Sequence, residues 1–323
     1  MLFEIRPYNQ NDYLQIAAVL ASAKPQASTS AELLQYRDQT RPSFCQFARF
    51  VAVKDKSIIG FSFYTQYADM FEPNAFWIDV CVSPAHQKQG VGSRLFDQLR
   101  QSLHANPLFT FRTQIQEDHL PGIRFAESRG FKEFGRRWES ILDVTTFDKN
   151  PWLKTQAQLD AQNIQIIPYP DLATDPERDR KVYQLQTELD QDVPMLVPTT
   201  AMTFDQFANQ ILDNPSFVAE GLLIAVHGNE YVGMSSLFAV DDQSLVIDLT
   251  GTKKEYRRRG IAMALKIQGV LFAQRQEYKS ITVHNDTMNE GMLAINKRLG
   301  FVRHPALIQY AKDFKPTENK ELI

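Results

Sequence analysis

Two short segments combine residue types that suit the binding of a phosphate group. They read Gln87-Lys88-Gln89-Gly90-Val91-Gly92 and Arg257-Arg258-Arg259-Gly260-Ile261-Ala262. Each follows an apolar stretch typical of a strand and precedes an amphipathic stretch typical of a helix. Backbone N–H groups at a helix N-terminus lack intrahelical partners and carry the positive end of the helix dipole, so such a turn favours an anion such as pyrophosphate.

The residue types within each turn support this interpretation. Gly90 and Gly260 keep side chains away from the anion, and Gly92 and Ala262 keep a later position of each turn small. Lys88 and the three arginines of the second turn add positive charge beside the same phosphates. Since the two leading glycines lie 170 positions apart, one phosphate-binding device occurs twice.

Two other nucleotide-binding motifs do not fit the first turn. A dinucleotide-binding fingerprint requires a third Gly or Ala where Leu95 stands, and a P-loop requires Gly-Lys-Ser/Thr. Dinucleotides and nucleoside triphosphates are therefore disfavoured as ligands.

The segments after each turn also repeat. A strand at 109–115 and a helix at 123–131 follow the first turn, and a strand at 280–284 and a helix at 292–301 follow the second. Both helices close on Gly-Phe. The helix after Gly90 is predicted to bury one face, made of Val91, Leu95, Phe96, Leu99 and Leu103.

This order of strand, Gln/Arg-x-x-Gly-x-Gly/Ala turn and helix resembles the acyl-CoA-binding motif of the GNAT superfamily of N-acyltransferases. The resemblance covers nearly the whole chain as two tandem copies. It implies an α/β (α+β) protein with two tandem GNAT-type domains, each a mixed, mostly antiparallel sheet flanked by helices. We expect an N-terminal domain at 1–148, a linker at 149–163 that can hold a short helix, a C-terminal domain at 164–314 and a loose tail at 315–323.

Composition is consistent with this organisation and limits the partners. The chain has 323 residues, a net charge of −3 and 43% hydrophobic residues, which suits two domains of ~150 residues and does not suggest nucleic acid as a partner. No secretory pattern and no apolar run of ~18 residues is present, so we expect no membrane contact and a cytoplasmic location. Cys45 and Cys81 are predicted to be buried free thiols, and the six histidines show no metal-binding spacing.

The resemblance implies acetyl-CoA as co-substrate and no metal. Its phosphates are expected at Gln87, Lys88, Gln89, Gly90, Val91 and Gly92 and at Arg257, Arg258, Arg259, Gly260, Ile261 and Ala262. Between splayed parallel strands, the pantetheine arm is expected to use main-chain groups of Cys81, Val82, Gly251 and Thr252. Asn285 and Asn289 are expected on the same side, with helix capping as an equal alternative.

The resemblance also implies direct attack of an amine on the thioester in a ternary complex. Asp79 and Asp248 lie on the strand before each turn and are candidate bases, with a structural role as the alternative. They stand 8 and 9 positions before Gln87 and Arg257, which predicts that they lie on opposite faces of the sheet and are not equivalent. Many members carry a proton-donating Tyr where this chain has Ala126 and Asn296. Asn296 can donate a hydrogen bond to sulfur but is a poor acid.

These patterns predict an N-acetyltransferase that acts on a primary amine of a small molecule. The preference for a small molecule depends on the lack of an extended acidic or aromatic docking segment in the sequence. One alternative is an enzyme like mycothiol synthase, in which only one half of a tandem chain is active. Another is an acyl-CoA-binding sensor without catalysis, suggested by the two missing tyrosines.

Overall fold

The computed structural model describes residues 3–25, 29–106 and 108–315. They divide into two compact units, one with the described residues up to Gly135 and from Ile308 onward, the other with Arg136–Leu307. The elements of the first unit are β1 (Glu4–Pro7), α1 (Tyr13–Ala23), α2 (Ala31–Gln39), β2 (Phe47–Lys54), β3 (Ser57–Thr65), β4 (Ala75–Val82), α3 (Val91–Ser102), β5 (Phe109–Gln116), α4 (Leu120–Glu127) and, from the end of the chain, β13 (Leu307–Phe314).

The second unit begins within β6 (Lys132–Asp143). Its further elements are α5 (Leu153–Asp160), β7 (Ile164–Pro168), α6 (Arg178–Asp190), α7 (Phe204–Phe207) with a π-helical continuation (Ala208–Leu212), β8 (Leu223–His227), β9 (Glu230–Ala239), β10 (Ser244–Thr252), α8 (Ile261–Arg275), β11 (Ser280–Asp286), α9 (Glu290–Leu299) and β12 (Val302–Arg303).

Each unit contains a mixed sheet. The strand order is β1-β2-β3-β4-β5-β13 in the first unit and β6-β11-β10-β9-β8-β7 in the second, where β12 also pairs with β6. The hairpin strands are antiparallel, whereas β4 with β5 and β10 with β11 are parallel. This architecture confirms the predicted fold class.

The units divide the chain differently from the predicted domains. Residues 136–148 were expected in the first domain and residues 308–314 in the second, but the units include them the other way round. Within the second unit, β6 pairs with β11, with Asp143 opposite Ser280. The alternation of a strand specifies its buried face but not its distant partner, so this pairing was not predictable from pattern.

Several local predictions are confirmed. Val91, Leu95, Phe96, Leu99 and Leu103 are all buried in the core of the first unit. Both cysteines are free and buried. The expected linker contains α5, and its fully buried Leu159 packs in a hydrophobic cluster of the second unit. Except for residue 315, the predicted tail lies outside the described residues.

The parallel strands of each unit pair only over their first residues. The β4–β5 pairs end at Trp77 opposite Arg112, and the β10–β11 pairs end at Ile247 opposite Val283. Beyond these points the strands part, and the resulting gap leads towards the glycine turn that follows β4 or β10. The backbone groups that line the gap lose their ladder partners, so other groups must satisfy them.

Only the second of these central strands carries a bulge. Pairing of β10 with β9 shifts by one residue between Ile247 and Thr250, while pairing of β4 with β3 runs unbroken from Gly60 to Thr65. The bulge inserts one residue near Asp248 and reverses the side-chain alternation there. The prediction that Asp79 and Asp248 face opposite sides counted residues along two regular strands. Because of the bulge, that residue count does not give the face of Asp248 on β10.

Lys266 on α8 is the most unusual residue of the second core. Its side chain is fully buried, and its Nζ lies 5.4 Å from the ring centroid of Phe301. It forms no ion pair or hydrogen bond with any residue that the structure describes. Burial lowers the pKa of this amine to about 7, so the amine is half neutral near neutral pH.

We predict that Lys266→Met raises the free energy of unfolding in a pH-dependent way. The folded-state pKa lies below the unfolded value of 10.5, so the cost of the buried charge is complete below pH ~7 and vanishes above pH ~10.5. The gain should be on the order of 4 kcal/mol at pH 6 and should shrink towards zero at pH 10.5. Urea unfolding at several pH values measures it, with exposed Lys297→Met as control. A gain independent of pH would contradict the explanation.

Candidate functional site

The two glycine turns have the same backbone conformation. The φ and ψ angles are −68° and 161° at Gln87, and −66° and 160° at Arg257. Both turns then place their next residue at positive φ, 59° in the first and 62° in the second. Gly90 and Gly260, at φ of 82° and 86°, begin α3 and α8 in the left-handed region. The two turns therefore have one common backbone structure, as the repeated sequence pattern predicted.

Side-chain hydrogen bonds hold the two turns in the same manner. Gln87 Nε2 donates to the Val82 carbonyl at 3.1 Å, and Arg257 Nε donates to the Thr252 carbonyl at 3.2 Å. Gln89 and Arg259 likewise donate to the carbonyl four residues earlier. These side chains support the turn itself, whereas Lys88 and Arg258 are exposed and form no hydrogen bond within the described ranges.

The main-chain groups predicted to meet pantetheine fall into two sets. The Cys81 and Gly251 carbonyls lie against Gly60 and Gly233 of the neighbouring strand, where an added methyl would come within 2.9 Å of each oxygen. The carbonyls of residues 82 and 252 instead accept the side chains from the turns. Of the four, only residues 82 and 252 therefore direct a carbonyl towards the turn.

Charge distinguishes the second turn from the first. Lys253 and Lys254 precede it, where the first copy has Ser83 and Pro84. The Asp192 carboxylate bridges two cations of this region. It lies 2.9 Å from Lys254 Nζ and 2.5 Å from Arg257 Nη2. The Lys254 hydrogen bond holds the pKa of Asp192 below its usual value. More cationic side chains therefore surround the second turn than the first, although Asp192 pairs with two of them.

Apolar side chains pack together beside the first gap, at the start of α3. A methyl group added to Gly92 would lie 3.4 Å from the ring of Phe125 and 3.7 Å from Val82. Both side chains, with Ile115, pack against the core of the first unit. The Arg129 guanidinium lies 3.6 Å over the ring of Phe125, so these groups cover the start of α3. Comparing the two copies could have revealed this, since Phe125 matches a smaller Ile in the second copy.

The second gap is lined by polar groups at the matching positions. Thr252, Asn285 and Asn296 stand where the first copy has Val82, Ile115 and Ala126. Asn296 is buried, and its Nδ2 donates to Asn285 Oδ1 at 2.7 Å.

Two polar atoms near the second gap lack partners. Thr252 Oγ1 and Asn296 Oδ1 are buried and have no hydrogen-bond partner among the described residues. Buried polar atoms are costly when left unpaired, so Asn296 Oδ1 points to a ligand with hydrogen-bond donors, and the Thr252 hydroxyl can accept or donate one. The two amides of a pantetheine arm supply such donors. Asn289 instead caps α9 by accepting the Met292 N–H at 3.3 Å, which agrees with the capping alternative.

Asp79 and Asp248 have different surroundings. Both oxygens of Asp79 accept hydrogen bonds from Lys24 Nζ, at 2.6 and 2.8 Å. Burial lowers the pKa of Lys24, but the Asp79 carboxylate outweighs it, and the net shift is upward. Asp79 is thus held in an ion pair. Asp248 is exposed on the bulge of β10, and its charge acts on Arg137.

A cluster of ionisable residues on β6 and β11 was not predicted. Glu139 lies opposite His284, and Arg137 lies opposite Asp286. Residues two apart share a face of the sheet, so the four side chains lie together on the face opposite Asn285. Burial lowers the pKa of Arg137, against the effect of Asp248 and Asp286. The sequence carried no signal for this cluster, because β6 was expected in the other domain.

One concave surface of about 460 Å³ lies beside α6 in the second unit. Lys253 reaches it and forms ion pairs there with Glu230 at 2.8 Å and Glu188 at 3.6 Å. The positive charge of Lys253 at this surface is therefore paired with carboxylates of the protein itself. Among the described residues, we find no cluster that could hold a metal ion and no helix long and apolar enough to span a membrane.

Comparison with known proteins agrees with this fold. The model of the acetyltransferase (GNAT) family matches residues 15–131 and 182–301. The chain belongs to this family, whose members use acetyl-CoA. A search of curated proteins gives no match.

Solved structures with the same fold cover almost the whole chain. A GCN5-related N-acetyltransferase from Sphaerobacter thermophilus is 16% identical, with 97% of this chain and 96% of that chain covered and a TM-score of 0.68. A tandem GNAT protein from the clavulanic acid biosynthesis pathway is 16% identical, with coverages of 97% and 98% and a TM-score of 0.74. At these identities, the likeness shows the fold alone.

We predict that Gly260→Val and Gly90→Val affect acetyl-CoA binding differently. Both glycines have positive φ with no atom within 4 Å of an added Cβ, so each change strains its turn by at least about 1–2 kcal/mol. Only Gly260→Val should weaken acetyl-CoA binding, by tenfold or more, because the first gap is filled. Equilibrium dialysis measures the affinity, and urea unfolding verifies matched stability. Loss of binding in Gly90→Val alone, or equally in both, would contradict this.

Proposed function

We propose that the chain is an acetyl-CoA-dependent N-acetyltransferase whose second unit carries the active site. It transfers the acetyl group to a primary amine of a small molecule by direct attack in a ternary complex. The main supporting observation is the difference between matching positions: Thr252 and Asn296 of the second copy hold buried oxygen atoms without partners among the described residues, whereas the apolar Val82 and Phe125 pack beside Gly92 in the first copy, where we infer that they fill the gap.

The proposed roles follow from position. The start of α8 and the exposed Arg258 bind the pyrophosphate, and Lys254 and Arg257 contribute positive charge although Asp192 bridges them. Thr252 Oγ1 and Asn296 Oδ1 accept hydrogen bonds from pantetheine amides. Asn296 retains a second N–H for the thioester sulfur, since it donates one to Asn285.

Asp248 supplies the negative charge that attracts a cationic amine. Its exposure on the bulge, where β10 and β11 part, supports this role. Asp79, in its ion pair, has a structural role in the first unit. A cytoplasmic location and the preference for small molecules remain predictions from the sequence.

The filled first gap favours a tandem enzyme with one active half over one with two. The sensor alternative differs only in catalysis, since it would use the same gap to bind acetyl-CoA. Turnover therefore distinguishes it from the enzyme.

We predict amine-dependent release of CoA thiol from acetyl-CoA with at least one small primary amine, measured with a thiol reagent and checked by mass spectrometry of the product. Asp248→Asn should lower kcat/KM for the amine by about tenfold or more, because an attractive charge is lost. Asp79→Asn, the matched control, should leave kcat/KM unchanged while destabilising the first unit. Binding without turnover across a broad panel would favour the sensor, and reaction with peptides only would refute the small-molecule preference.

A further inference from the structure

His284 lies at the point where β10 and β11 part. It directly follows Val283, the last residue of β11 that pairs with β10. Val283 is buried in the core beneath α8, so His284 faces the other side of the sheet. Its side chain is 27% exposed, which leaves the imidazole accessible from that side.

Glu139 fixes the orientation of this imidazole. The two residues are directly opposite on paired strands, and His284 Nε2 lies 3.1 Å from Glu139 Oε2. The hydrogen bond from His284 lowers the pKa of Glu139, which keeps it a carboxylate. A carboxylate only accepts hydrogen bonds, so Nε2 carries a hydrogen, and in the neutral form of the imidazole the lone pair is therefore on Nδ1. Nδ1 has no hydrogen bond to any residue in the described ranges.

The charged groups around the imidazole come from three strands. From β6 they are those of Arg137 and Glu139, from β10 that of Asp248, and from β11 that of Asp286, which accepts the Met288 N–H at 3.0 Å. His304, after β12, donates its backbone N–H to the Glu139 carbonyl at 2.9 Å. Carboxylates outnumber cations here, and this attracts an ammonium group that must lose a proton before it can attack.

The first unit lacks this pair. Gln114 stands where His284 would be expected from the 170-residue repeat. An amide cannot accept a proton at neutral pH, so Gln114 cannot replace an imidazole. The difference parallels the filled first gap and the open second gap.

We propose that His284 is the general base for the acceptor amine and that Glu139 is its positioning residue. The inference rests on the proposed function. The ammonium group first releases one proton to solvent. Nδ1 then takes a second proton from the neutral amine while the amine nitrogen forms a bond to the thioester carbonyl carbon. The carbon–sulfur bond then breaks, and the imidazolium returns the proton to the CoA thiolate, directly or through water. The products are an amide and CoA thiol.

The test uses the full chain with an amine that wild type acetylates. His284→Gln should lower kcat/KM at neutral pH by about 10²–10⁴-fold, with acetyl-CoA affinity unchanged. It should also abolish the acid limb of the wild-type pH profile, leaving a rate that rises with deprotonation of the amine itself. Added imidazole should partly restore His284→Ala. Glu139→Gln should displace the acid limb, which a merely structural role would not do. His104→Gln, at an exposed histidine of the first unit, is the control.

Other outcomes overturn the inference in distinguishable ways. If wild type is active and His284→Gln keeps its rate and pH profile, the inference fails while the proposed function stands. If both His284 variants lose acetyl-CoA binding and imidazole restores nothing, the residue is structural and the inference also fails. If wild type binds acetyl-CoA but acetylates no amine, the proposed function fails and the inference with it.

Discussion

The parting of two parallel strands is the constraint on which the site depends. Beyond Ile247 and Val283, each backbone group on the inner edges of β10 and β11 loses its ladder partner, and something else must occupy the gap. A protein can fill such a gap with its own side chains or leave it for a ligand. We propose that this chain does both, since Val82 and Phe125 pack beside the gap of the first unit while the polar Thr252 and Asn296 lie beside that of the second.

Duplication explains how the two solutions coexist. Both glycine turns keep the same dihedral angles and supporting hydrogen bonds, so the backbone device persisted in both copies. The side chains around it diverged: Val82, Ile115 and Ala126 turn the first gap into core. Burying apolar groups there stabilises the first unit, while unpaired polar atoms in the second are retained at a cost. Such a cost is typical of positions kept for function.

The turns, the strand order around them and the helix faces could be predicted from the sequence, because glycine spacing and hydrophobic periodicity are local signals. Neither the pairing of β6 with β11 in the second unit nor the bulge in β10 could be predicted from the sequence. Which strand pairs with β11 depends on contacts between residues more than 100 positions apart, such as Glu139 and His284. For the same reason the sequence did not single out His284, and it could not show that Lys24 forms an ion pair with Asp79.

The central claim is that only the second gap accepts acetyl-CoA. Calorimetric titration of the full chain with acetyl-CoA tests it most directly, because stoichiometry counts the open sites. The account predicts one site per chain. Two sites would show that Phe125 yields to the ligand and that the first unit is also functional, and no binding would contradict the acetyltransferase proposal itself.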